Sequence, residues 1–185
     1  MHFSFNRRSF LKASLFTTLA CLLGADKAWA NLPEEGFAPG RLHLYNIHTG
    51  EKARVTFRGW DGQYDQEAID RINWLLRCHY TNEEHPIDPV TLEYLNQVDQ
   101  LLGGSNEIHV ISGYRSPNYN NQLIQRGHKV AKNSLHLQGR ALDIRIPGTE
   151  LTTLHQAALS LRLGGVGFYP GDNFVHIDSG AFRTW

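Results

Sequence analysis

The chain has 185 residues, with 18 Lys and Arg balanced by 18 Asp and Glu. Residues 1–30 hold four of the basic residues (Arg7, Arg8, Lys12, Lys27) and one acid (Asp26), so residues 31–185 carry 14 basic and 17 acidic side chains. A slightly acidic segment of this size suits one domain and offers no basic stripe for nucleic acid.

The first thirty residues read as an export signal. Arg7 and Arg8 precede an apolar run from Leu15 to Leu23, and Ala28–Ala30 form a small-x-small cleavage pattern. That order belongs to a targeting segment, and the run is too short for a comfortable membrane span. "NRRSFLK" resembles the twin-arginine signal, whose machinery exports folded proteins; an ordinary secretory signal is the alternative. Cleavage is expected after Ala30, leaving a periplasmic protein of residues 31–185. Cys21 would go with the signal, although "TLAC" leaves lipidation open. Cys78 then remains without a disulfide partner in the same chain.

After an irregular lead-in, Leu42–Ile47 and Ala53–Arg58 read as strands joined by the turn "HTGE". Asp65 is the expected cap of a helix running to about His79. Asp88 caps a second helix, with Pro89 first, Leu92, Leu95, Val98 and Leu102 along one side, and Gly103–Gly104 as the stop. "EIHVIS" (107–112) is a strand, and Ser116-Pro117 opens a helix to about Arg126. In "GRALDIRIP", Leu142, Ile144 and Ile146 face one way, and Ala141, Asp143 and Arg145 the other. Thr149 is the expected cap of a fourth helix. Two short strands surround the turn Tyr169–Asp172. This mixture suggests an α+β domain.

In "NFVHIDSG", alternation sends Val175 and Ile177 inward and places Phe174, His176 and Asp178 on the opposite face. If this strand neighbours the one carrying Asp143, then Asp143 and His176 converge. His136, on the loop entering the Asp143 strand, could fold over them, with Gly139 permitting the sharp entry. Two histidines and an aspartate are a plausible zinc set, since a catalytic zinc takes three protein ligands and a water. The spacing equally permits a surface histidine beside an aspartate paired with Arg140 or Arg145.

The motifs together are more specific than the spacing. "SLHLQGRALDI" (134–144) fits the Ser-x-His-x-x-Gly-x-Ala-x-Asp signature of the D-Ala-D-Ala metallopeptidases, which share a fold with the Hedgehog signalling domain. "IHTGE", "ISGYRS", "GGVGFYP", "NFVHIDSG" and the ending "RTW" resemble the YcbK-like murein endopeptidases, the MepK family, over essentially all of residues 31–185. The resemblance implies a small antiparallel sheet with flanking helices and a zinc site on the sheet face. It implies that His136, Asp143 and His176 bind Zn²⁺, and that Arg115 contacts the substrate carbonyl or carboxylate. The expected substrate is a murein cross-link between two meso-diaminopimelate residues, or a D-Ala–diaminopimelate link, attacked by a monomer. Rival readings are a D,D-carboxypeptidase or dipeptidase on the same scaffold and a zinc-containing binding module without turnover.

One departure stands out. The dipeptidase branch has a glutamate base three residues before the last ligand, where this chain has Asn173; another branch has a histidine where this chain has Phe174. Asp178 is then the leading candidate base, or else it orients a ligand imidazole. Asp172 and His128 are further candidates for proton transfer. Tyr114, Phe168 and Tyr169 are expected to line the groove or pack beside it. Cys78, on an apolar-striped helix, reads as core and not as a nucleophile.

Overall fold

Alternating burial in the first two strands starts the sheet. β1 (Gly40–Asn46) and β2 (Lys52–Arg58) form an antiparallel hairpin, with Leu42, Leu44, Val55 and Phe57 turned to the interior. The computed structural model describes residues 38–128 and 130–185; the export signal expected over residues 1–30 lies outside them. Among the described residues no helix is long and apolar enough to cross a membrane.

Two helices follow the hairpin. Asp65 caps α1 (Gln66–Leu75), its carboxylate accepting from Ala68 N at 3.1 Å. Asp88 caps α2 (Pro89–Leu101) and accepts from Val90 N at 3.0 Å. Both caps satisfy amide donors that the first turn leaves open. α1 stops short of the expected His79. Buried Arg77 requires an opposite charge and hydrogen-bond acceptors, and it finds the Glu51 carboxylate at 2.7 Å on the β1–β2 turn and the Asn82 amide oxygen at 2.6 Å. Those bonds hold the chain in a turn instead of another helical turn.

The two helices carry the chain back, so β3 (Glu107–Ser112) enters beside β1 in the parallel sense. The chain continues through α3 (Pro117–Gln125), a 3₁₀ turn (Leu135–Gln138), β4 (Ala141–Arg145), α4 (Leu151–Leu161), β5 (Gly165–Tyr169), β6 (Phe174–Asp178) and β7 (Arg183–Thr184). The strand order is β2-β1-β3-β4-β6-β5-β7 in one seven-stranded sheet. The α+β class holds, but the expected small antiparallel sheet does not. The sheet is larger and mixed, because β1–β3 and β5–β7 run parallel. The fourth helix is also capped differently: Glu150 occupies the cap position without a side-chain bond, since Gly148 at φ 81° puts Thr149 in the preceding turn.

One face of the sheet is the core. Leu142, Ile144, Val166, Val175 and Ile177 are inaccessible to solvent there, with Leu92, Leu95 and Leu154 from the helices in the same cluster. Tyr94 of α2 donates its hydroxyl to Ala158 O of α4 at 2.9 Å, tying two of these helices together. Each such buried aliphatic contributes roughly 1.5–3 kcal/mol. The central strands β4 and β6 are therefore a rigid base, and the residues between their aliphatics project from the other face.

Candidate metal centre

Strand register creates the site. β4 and β6 are antiparallel neighbours, and Asp143 stands directly opposite His176. His176 Nδ1 lies 2.8 Å from Asp143 Oδ1. His136 reaches the pair from the 3₁₀ turn. Ser134 caps that turn by accepting from His136 N, and Gly139 closes it at φ 63°. Gly139 has a second constraint: a β-carbon there would collide with the carbonyl of Pro86. Only glycine meets both demands, which explains a glycine between a candidate ligand and its strand.

His136 is 2% exposed, and its Nε2 lies 3.3 Å from both Asp143 Oδ1 and His176 Nδ1. The three donor atoms fall within 4.8 Å of one another. The hydrogen bonds on the far side of each ring identify which nitrogens face inward. His136 Nδ1 is 2.7 Å from Gly113 O, which can only accept, so Nδ1 carries the proton and Nε2 a lone pair. His176 lies between two carboxylates, Nδ1 2.8 Å from Asp143 Oδ1 and Nε2 3.0 Å from Asp178 Oδ2; when its one proton is on Nε2, donated to Asp178, Nδ1 presents a lone pair. In that tautomer two lone pairs and a carboxylate oxygen converge. A proton on His176 relieves one contact; a divalent ion relieves all three. Donors bound to a tetrahedral zinc sit about 3.3 Å apart, given bonds of about 2.0–2.1 Å. Two of the three separations match that value and the third is shorter, so the residues fit such an ion.

The electrostatics agree with that fit. Burial pushes the His136 imidazole below its ordinary pKa, keeping it neutral and ready to donate a lone pair. Burial pushes the Asp143 carboxyl up, but the N–H and positive charge that His136 and His176 can bring against it outweigh burial and hold the group ionised. Burial lowers His176, while hydrogen bonds to the Asp143 and Asp178 carboxylates outweigh burial and raise it, marking a place that attracts positive charge. Arg140, an alternative partner for Asp143, instead donates to Ser179 Oγ and Ser179 O and lies near Asp88.

Asp178 and Arg115 flank the cluster. Asp178 has no solvent exposure; it accepts from Gly165 N, Gly180 N and both terminal nitrogens of Arg183, besides His176. Arg115 follows the tight turn at Gly113, and its amide donates to His136 O at 3.1 Å. Among the described residues its guanidinium makes only long hydrogen-bond contacts: 3.5 Å to Asp143 Oδ2, 3.3 Å to Ser112 Oγ and 3.4 Å to Asn120 Oδ1. Its Nε is buried without a hydrogen-bond partner among the described residues.

A groove of about 1040 Å³ opens over this cluster, and His136, Asp143, His176 and Arg115 form its floor. Residues 35–185 match the family described as peptidoglycan L,D-endopeptidase MepK. The chain belongs to that family. It is 42% identical over 174 residues to the peptidoglycan L,D-endopeptidases MepK of Escherichia coli K12 and of Shigella flexneri, covering 90% of this chain and 94% of each relative. It is 40% identical over 148 residues to the probable MepK of Haemophilus influenzae, covering 80% of this chain and 79% of the relative.

The other residues singled out from sequence separate in this MepK-family chain. Tyr169, Phe174, Asp172 and His128 line the groove. Asn173, where the dipeptidase branch carries its glutamate, lies at φ 57° and lines a separate small cavity beside Arg145. Tyr114 stacks on His85, and Phe168 on His155, and neither lines the groove. Cys78 is fully buried against Ser116 Oγ. Sequence reasoning gave no role to Trp185, which lines the groove with its ring 5.2 Å from that of His176. Nor did it find the stacked pair His48 and His79 on the groove wall, with centroids 3.7 Å apart. "GGVGF" held the available signal for Trp185. A β-carbon at Gly167, directly across from His176, would approach the Trp185 ring to 2.8 Å, so the glycine makes room for that ring.

Proposed function

We propose that this chain is a zinc-dependent peptidoglycan endopeptidase that cleaves peptide cross-links of murein. The favoured bond joins two meso-diaminopimelate residues, in keeping with the L,D-endopeptidase names of its relatives. The observation that carries the reading is the convergence of three potential ligand atoms, from His136, Asp143 and His176, on the floor of an open groove. Export through the twin-arginine route to the periplasm, with cleavage after Ala30, belongs to the same proposal and places the enzyme with its substrate.

In this reading His136 Nε2, His176 Nδ1 and a carboxylate oxygen of Asp143 hold the ion. The ion supplies Lewis acidity and lowers the pKa of water at the centre. The protein's own residues do the rest. Gly113 O and Asp178 fix the two imidazole tautomers, so that neither ligand must reorganise. Arg115, loosely held and aimed over Asp143, binds the substrate carbonyl and stabilises negative charge developing on its oxygen. The orienting role suits Asp178 better than the role of base: it is sealed from the groove, its oxygens are engaged by five donors, and these contacts outweigh burial and hold it ionised.

Digestion of purified cross-linked muropeptides tests the proposal. The expected result is dimers falling to monomers, arrest by a chelator, and recovery on adding zinc. Release of D-alanine alone would point to the carboxypeptidase reading. Zinc-loaded protein that binds sacculi and leaves every muropeptide intact would point to a binding module.

A further inference from the structure

β7 supplies an anchor for one of the proposed ligands. It is only two residues long, pairs parallel to β5 through Gly165–Arg183 and Val166–Thr184, and is exposed. Trp185 extends the attachment: Phe168 N donates to Trp185 O at 3.1 Å, and Trp185 N to Val166 O at 3.3 Å. This strand delivers Arg183 to Asp178. Nη2 donates to Asp178 Oδ2 at 2.7 Å, and Nη1 to Oδ1 at 3.0 Å, a two-pronged pairing that favours the ionised carboxylate and restrains its plane. The pairing is one-sided. Arg183 keeps 45% of its side-chain exposure and Asp178 has none, so water hydrates the cation while the anion is covered.

Oδ2 is the atom that matters. The same oxygen accepts from Arg183 Nη2 and faces His176 Nε2 at 3.0 Å. Gly165 N and Gly180 N hold the other oxygen, Oδ1, at 3.1 and 2.8 Å, so Arg183, the residue hydrogen-bonded to both oxygens, shares with them in setting the carboxylate's rotation and hence the direction of the hydrogen bond that orients His176. The local sequence clears space for this arrangement. A β-carbon at Gly165 would collide with Asp178 Oδ2, and it would also crowd the guanidinium of Arg183. On the other side of the ring, Trp185 packs against His176, its indole N–H held by Tyr169 Oη at 2.7 Å. Two residues of the same short segment thus act on the imidazole, Arg183 indirectly through Asp178 at the Nε2 edge and Trp185 by packing against the ring.

We infer that Arg183 is a positioning residue for the metal centre: through Asp178 it fixes His176 and so sets the affinity and geometry with which the ion is held. The inference rests on the proposed metal reading. Partners that orient a ligand imidazole are worth about 10–100-fold in metal affinity, and Arg183, one bond further out, belongs at the lower end.

The test compares the intact protein with Arg183→Met and Arg183→Lys. Zinc affinity is read by competition with a chromophoric chelator. The visible spectrum of the cobalt(II)-substituted protein reports the ligand geometry, and metal-free melting reports the fold. Arg183→Met is expected to weaken zinc on the order of tenfold and to alter the cobalt spectrum. Arg183→Lys, which keeps the charge but loses the fork, should fall between Met and the parent. Should the Met variant not fold, the Lys variant carries the same comparison. Parent-like zinc affinity and a superimposable cobalt spectrum overturn the inference, even if melting falls, because Arg183 then serves only to hold β7. A parent protein that takes up neither metal instead removes the metal reading on which the inference stands.

Discussion

His136→Ala is expected to lower kcat/KM on cross-linked muropeptides by on the order of a thousandfold and to abolish tight zinc binding, with the fold retained. Two terms set the size. Losing the Lewis acid removes several kcal/mol of transition-state stabilisation, and each 1.4 kcal/mol or so is tenfold in rate. Against this, the 3₁₀ turn keeps its own supports: the amides of Leu137 and Arg140 donate within it, and Gly139 O accepts from Asp88 N at 2.9 Å. The deletion leaves a small polar gap beside the groove and spares the aliphatic core. Activity, zinc content and near-ultraviolet dichroism on the same sample separate these terms. A variant that folds, binds no zinc and keeps a tenth of the activity would remove the metal from the mechanism.

Arg115→Met is expected to act on turnover and to leave the metal in place, with kcat falling about 10²–10³-fold, as for removal of one donor to a developing oxyanion. The guanidinium's contacts of 3.3–3.5 Å are too long to hold much in the resting protein. Its hydrogen-bonding capacity is therefore available to a substrate. If Arg115 instead served as an ion pair restraining Asp143, Arg115→Met would weaken zinc and Arg115→Lys would rescue it. Measuring zinc affinity beside kcat and KM for both variants decides between these roles.

Legibility from sequence followed how local the cause was. Capping and strand alternation are local, so Asp65, Asp88-Pro89 and "EIHVIS" placed α1, α2 and β3 correctly at their starts. The face shared by His176 and Asp178 and the role of Gly139 were also readable, because period two and a positive φ are properties of a few residues. The end of α1 was not, since it depends on Arg77 finding Glu51 some 26 residues away. Sheet order was hidden for the same reason: parallel pairing of β1 with β3 is a result of where α1 and α2 return the chain. β7 has two exposed residues and no alternation to read. Its importance becomes visible only when Arg183 is seen against Asp178, although Gly165 and Gly167 on the facing strand already mark where it must fit.

The central claim is that His136, Asp143 and His176 share one divalent ion. X-ray absorption at the zinc edge, on protein loaded with one equivalent, tests it most directly. The account predicts a shell of four nitrogen and oxygen donors at about 2.0–2.1 Å, with the multiple scattering of two imidazoles that falls to one in His176→Ala. A sulfur-containing shell, or a spectrum unchanged by that substitution, would contradict it.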